Sequence, residues 1–131
     1  MKRIVICGSM RFAQNMKALA QTLEQRGFTA ITPQEDEWDT ISPDKVHEYK
    51  RMVSLRYFHE VAQEDTHAIL VMNEPGEGIE NYIGANAFAE IAIAFFHGKS
   101  IFLLHDVYGP FADELTAWGA IPLHGSIDGL Q

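Results

Sequence analysis

Ile4-Val5-Ile6-Cys7 places four apolar residues in succession, with none of the polar alternation that a strand with one wet face would show. Such a run reads as a strand covered on both sides, the pattern of a parallel sheet sandwiched between helices. Gly8-Ser9 ends it, and Ser9 is placed to cap a helix. Phe12, Met16, Leu19, Ala20 and Leu23 then recur at helical spacing, up to a stop at Gly27. Residues 28–32 read as a second strand, and a polar, acidic segment containing Trp38 follows. Ser42-Pro43, a cap and then a proline, predicts the start of a long helix with Val46, Tyr49, Val53, Tyr57 and Val61 on one face. Residues 68–72 form a third buried strand, 73–82 a loop, and 84–96 a helix ended by His97-Gly98. Residues 101–104 give a fourth strand, 110–118 a short helix and 121–123 a fifth strand.

Strands alternating with helices imply an α/β fold: a doubly wound, flavodoxin-like or Rossmann-like parallel sheet of about five strands with right-handed crossovers. The first and third strands are the most apolar and hence the most central, which gives the order 2-1-3-4-5. With no internal repeat, low-complexity tract or linker, residues 1–131 read as a single domain. In such a sheet ligands bind beyond the carboxyl ends of the strands, where the winding reverses. That point lies between strands one and three, so the turn at Gly8-Ser9 should face the loop that runs from Asn73 to Asn86.

The charge balance narrows the partners. Ten basic and eighteen acidic residues leave a net charge of −8, and no basic face is visible for nucleic acid or an anionic membrane. One cysteine, Cys7, excludes an internal disulfide framework and fits a reducing compartment. The strand entering at Arg3 leaves no room for a secretory leader. Residues 83–96 are the most apolar stretch, but Asn86 and Glu90 interrupt it and it is too short to span a bilayer. The expectation is a cytoplasmic protein.

Glu90 is the residue that needs a reason. In residues 83–96 only Gly84, Asn86 and Glu90 are not apolar, and a carboxylate there is costly to bury without a partner. It is either a catalytic group at the ligand crevice or the one solvated position on a greasy helix. Asn86, four residues earlier, shares its face and can bond to it or to a ligand. Gly8-Ser9-Met10-Arg11 exposes backbone N–H groups at a helix start, an anion site to which Arg11 can add a fork of donors. Equally, Ser9 caps, Gly8 turns, and Arg11 is solvated. There is no G-x-G-x-x-G and no Walker lysine. Six scattered histidines and one cysteine lack metal-ligand spacing, so no metal is expected. Trp38 can stack on a base or cover the core, and core packing is the commoner work of an aromatic. Lys50, Arg51 and Arg56 read as a solvated face of the long helix.

Three segments together, residues 4–11, Ala87-Phe88-Ala89-Glu90-Ile91-Ala92 and His97-Gly98-Lys99-Ser100-Ile101, resemble the nucleoside 2-deoxyribosyltransferase-like superfamily. That group includes the 2′-deoxynucleoside 5′-monophosphate N-glycosidases, and the resemblance extends through Leu104. It implies that Glu90 is the nucleophile on the anomeric carbon and that Ser9 and Arg11 contact a 5′-phosphate. It also implies a homodimer or higher homo-oligomer, a nucleoside or nucleotide as partner, and no cofactor. Gly8, Trp38, Tyr82 and Asn86 complete the expected substrate-binding set. Two positions depart from the family pattern: Val5 stands where a tyrosine often orients the glutamate, and Arg56-Tyr57-Phe58-His59 holds no aspartate for the leaving base. Asp36, Asp39, His59 and Asp65 are the candidate acids. The expected function is cleavage or transfer at an N-glycosidic bond. The alternative is a nucleotide-binding sensor on the same fold that has lost turnover.

Overall fold

The computed structural model describes residues 2–33, 40–76 and 78–130. Its five strands are β1 (Arg3–Cys7), β2 (Thr29–Ile31), β3 (Thr66–Val71), β4 (Ser100–Leu103) and β5 (Ile121–Pro122). Between them run α1 (Ala13–Gln25), α2 (Val46–Ala62), α3 (Ala85–Phe96) and α4 (Ala112–Ala117). The strands lie in the order β2-β1-β3-β4-β5, and every pairing is parallel. The order expected from strand apolarity is the one observed. Cys7, Val71, Leu103 and Pro122 are in register across the carboxyl edge, so that edge is a line of four strand ends.

Both faces of the sheet are buried, which is why β1 and β3 read as unbroken apolar runs. Val5, Cys7, Ile69, Val71, Ile101 and Leu103 pack with Val61 of α2, Ala87, Ile91 and Ala94 of α3, and Leu115 of α4. Ile4, Ile6, Ala68, Leu70 and Phe102 point the other way, onto Met16 and Leu23 of α1 and onto Leu123 and Leu130. Each large aliphatic side chain so buried contributes about 1.5–3 kcal/mol.

Two helix starts differ from the sequence expectation by three residues. Ser9 caps by accepting from Arg11 N, but what it opens is a 3-10 turn, and α1 begins only at Ala13. Ser42 makes no side-chain cap, and Pro43 likewise opens a 3-10 turn ahead of Val46. At the other end of α3, Gly98 takes φ +71°, a left-handed stop that a side chain resists. Lys99 then reaches back to donate from Nζ to the carbonyl of Gln63 at 2.7 Å, placing a cation at the C-terminus of α2 where the helix dipole favours it. The Gly-Lys pair after α3 is thus a clasp between two helix ends.

Candidate active site

At the carboxyl ends of β1 and β3 two cavities adjoin, sharing Gly8, Met10 and Asn86 in their walls. The first, about 310 Å³, lies between α2 and the β1–β2 side of the sheet. Ile31, Pro33, Val53 and Tyr57 supply apolar walls, Thr32, Ser54, Arg56 and Glu60 a polar margin, and Glu90 with Asn86 its α3 side. The second, about 320 Å³, is formed by Ser9, Phe12, Lys50, Glu74 and Tyr82 together with the first turn of α3. The first backbone N–H groups of a helix have no intrahelical acceptor. Those at Ala85, Asn86 and Ala87 belong to residues that line this second cavity.

Gly8, just past the end of β1, lies between the two in a tight space. A Cβ built on it would come 3.2 Å from Met72 O and 3.5 Å from the Met16 sulfur, so a side chain there asks the backbone just past β3 to give by a few tenths of an ångström. Asn86 and Glu90 stand one turn apart on α3 and both border the first cavity, as their spacing predicts. The adjoining stripe of the helix, Ala87, Ile91 and Ala94, faces the sheet.

Glu90 is 8% exposed. Burial pushes its carboxyl from the ordinary 4.5 up to about 7, against a hydrogen bond from the Cys7 thiol that favours the charged form. Burial likewise pushes the Cys7 thiol well up, and the neighbouring Glu90 charge adds to it. Tyr57 approaches from α2: its hydroxyl donates to the carbonyl of Ile6 and, at 3.4 Å, toward that of Ile31. Burial raises the Tyr57 phenol too, followed by the charges at Cys7 and Glu90. A carboxyl that ionises near neutrality at the edge of a cavity is suited to nucleophilic or proton-transfer chemistry.

Glu60, the second carboxyl of the first cavity, is bound differently. Arg3 donates to its carboxylate and, at 2.9 Å, to its backbone carbonyl. Tyr82 rests on Gly76 and meets the ring of Tyr108 edge-on at 5.6 Å, which fixes its place in the second cavity.

The structure therefore gathers Gly8, Ser9, Tyr82, Asn86 and Glu90 around one crevice. Arg11 is exposed and lines neither cavity, its backbone N–H bonded to Ser9 Oγ at 3.3 Å. His59 and Asp65 are exposed and also stand apart from both. Trp38, Asp36 and Asp39 lie outside the described residues. Lys50 and Arg56, read from the sequence as a solvated face, border the cavities, and Tyr57 is a lining residue that the reading did not name as part of the site. Tyr57 had a signal, since it sits on the inward stripe of α2 between Val53 and Val61. Among the described residues, no cluster of His, Cys, Asp and Glu could hold a metal ion, and no helix is long and apolar enough to cross a membrane.

The whole architecture is similar to that of the CMP N-glycosidase BcmB of Clostridium botulinum, with a TM-score of 0.57 over 93% of this chain and 87% of that one. The two chains share a fold. Their sequences are 17% identical, so the likeness is one of architecture. No protein-family model matches the sequence, and no curated protein matches it. The motif resemblance and the likeness of the structures point to the same fold.

Proposed function

We propose that this protein cleaves or transfers at the N-glycosidic bond of a nucleoside 5′-monophosphate, with Glu90 as the nucleophile. The observation that carries this reading is a buried carboxyl, poised near neutrality, at the edge of a cavity of nucleotide-fragment size. A solved structure of this fold is that of a CMP N-glycosidase, which supports a nucleotide as substrate.

In this mechanism the ionised Glu90 forms a bond to the anomeric carbon as the bond from that carbon to the base nitrogen breaks. The base leaves with the electron pair and takes up a proton. Water then attacks the anomeric carbon, displacing Glu90 and giving its own proton to solvent; a second base in place of water would give transfer. A dry carboxylate interacts more strongly with positive charge developing at the sugar than a hydrated one does. The apolar walls from Ile31, Pro33 and Val53 suit a flat base. The helix start of α3, Ser9 and Lys50 suit a phosphate in the second cavity. Glu60, held by Arg3, is an acceptor rather than an acid in this scheme.

The test is chromatographic: monophosphates, CMP among them, and their free nucleosides are incubated with the full chain, and released base is quantified. Base released from a monophosphate and abolished by Glu90→Gln supports the reading. Nucleotide binding with no base released from any member would overturn it in favour of a sensor.

A further inference from the structure

Glu74 is the one residue of the second cavity that a phosphate does not account for. It lies just past the end of β3 and lines that cavity with Ser9, Lys50 and Asn86. A carboxylate makes no bond to a phosphate, since both are acceptors and both are negative. Its counterpart in the protein is His105, just past β4, whose buried Nε2 lies 3.1 Å from Glu74 Oε2. His105 itself lines neither cavity, so of this pair it is the carboxylate that borders the ligand space. We propose that Glu74 is a specificity residue: it accepts a hydrogen bond from the 3′-hydroxyl of the pentose, and so selects nucleotides whose 3′ position is free over those that carry a phosphate there. The inference deepens the N-glycosidase reading and rests on it for the placement of the ligand.

The two cavities meet at Gly8, Met10 and Asn86, and Glu90 borders only the first. A nucleotide with its base in the first and its 5′-phosphate in the second sets the pentose across that junction, anomeric carbon toward Glu90. The 2′-hydroxyl, next to the anomeric carbon, stays on the Glu90 side. The 3′-hydroxyl sits beside the carbon that bears the phosphate arm, and so enters the second cavity with the phosphate. Lys50 then meets the phosphate and Glu74 the hydroxyl. Among the described residues the two make no ion pair with each other, so neither cancels the other. Glu74 also borders a groove beside α1, with Asn15 and Thr22, so the second cavity ends at this residue. The carboxylate is held in place through His105. Asn73 Oδ1 accepts the His105 N–H at 2.9 Å, and the imidazole rests against Gly125, where a Cβ would come 3.7 Å from Nδ1. A phosphate in place of the 3′-hydroxyl would set like charges together in a confined site, which is how a binding site rejects a wrong partner. Free mononucleotides are admitted, whereas 3′,5′-bisphosphates and nucleotides linked through their 3′ oxygen are refused.

The experiment measures dissociation constants by calorimetry in the full chain carrying Glu90→Gln, so that no ligand is cleaved. The probes are CMP, its 3′-deoxy analogue and cytidine 3′,5′-bisphosphate. CMP should bind about 10- to 100-fold more tightly than the 3′-deoxy analogue, as for one hydrogen bond to a charged group, and the bisphosphate should bind more weakly still. Adding Glu74→Gln should relieve the rejection of the bisphosphate by about tenfold or more, because the charge goes while the size stays. Adding Glu74→Asp instead should abolish the preference for the hydroxyl, which the shorter side chain does not reach, and keep the rejection. A carboxylate that merely fastens β3 to β4 would lower stability in both variants and leave the ratios among the three ligands unchanged. Unchanged ratios would overturn the proposal, as would failure of CMP to bind. Should Glu74→Gln unfold, the lost hydroxyl preference in Glu74→Asp carries the test alone. The expected ratios, with no base released from any monophosphate by the natural chain, would support Glu74 in this role and overturn the N-glycosidase reading instead.

Discussion

Asn73 Oδ1 accepts the backbone N–H of His105 at 2.9 Å, and its amide nitrogen donates to the carbonyl of Asp106 at 2.6 Å. A fully buried side chain at the end of β3 thus fastens the chain leaving β4. Asn73→Ala should leave both backbone groups without these partners and cost about 2 kcal/mol, read as a lower midpoint in urea denaturation. An unchanged midpoint would mean that water replaces the amide.

The burial of Glu90 has a stability consequence with a definite sign. Its carboxyl ionises at about 7 in the folded chain against 4.5 ordinarily, so the folded state binds its proton more tightly than the unfolded state. Stability tied to this group is therefore present at low pH and is lost as pH rises from about 4.5 through about 7. The full difference corresponds to about 3 kcal/mol. Glu90→Gln should be more stable than the natural chain at pH 8 by up to that amount and nearly equal to it at pH 4. Denaturation at the two pH values checks it, and a variant destabilised at both would show a structural carboxyl.

Activity should run the opposite way. The nucleophile must be ionised, so kcat/KM should rise with pH and level off above about 7, the value at which Glu90 loses its proton. An acid limb near 4.5 would place the working carboxyl elsewhere. Glu90→Gln should lose several orders of magnitude in turnover, and a 2-fluoro-sugar analogue should label this residue in the natural chain.

Much of the fold was legible because it depends on local pattern. The unbroken apolar runs of β1 and β3 place those strands centrally, and the spacing of Asn86 and Glu90 puts both on one side of α3. The helix starts slipped because Ser9 and Ser42 begin 3-10 turns, a choice made by the geometry of the following residues. Lys50 was read as a solvated residue of α2; that it borders a cavity depends on where α2 crosses the sheet, which no local spacing encodes.

Lys50 separates the two assignments for phosphate. It lines the second cavity, whereas Arg11 lines neither. Lys50→Ala should weaken binding of a 5′-monophosphate about 10- to 100-fold while leaving the free nucleoside unaffected, measured by calorimetry. Loss of the preference in Arg11→Ala, but not in Lys50→Ala, would restore the assignment made from the Gly8-Ser9-Met10-Arg11 motif.

Self-association is the remaining expectation. Phe96 is 83% exposed and Phe95 47%, with Met52 and Leu55 of α2 at 50% each, large apolar side chains of the kind that a second copy would cover. Sedimentation at micromolar concentration should give a mass at least twice 14.7 kDa. A monomer mass would sink the expectation.

Phe95 stacks on Trp118 of α4 at 5.1 Å with the rings 10° from parallel, and Phe88 stacks on the same indole at 5.5 Å. Both phenylalanines ride on the helix that carries Glu90, one two residues before it and the other five after. A displacement of that helix relative to α4 when the crevice fills would therefore slide two rings across the indole. In a Trp38→Phe background, Trp118 is the sole indole of the chain, so its emission becomes an optical gauge of the nucleophile's own helix, readable without label or substrate chemistry.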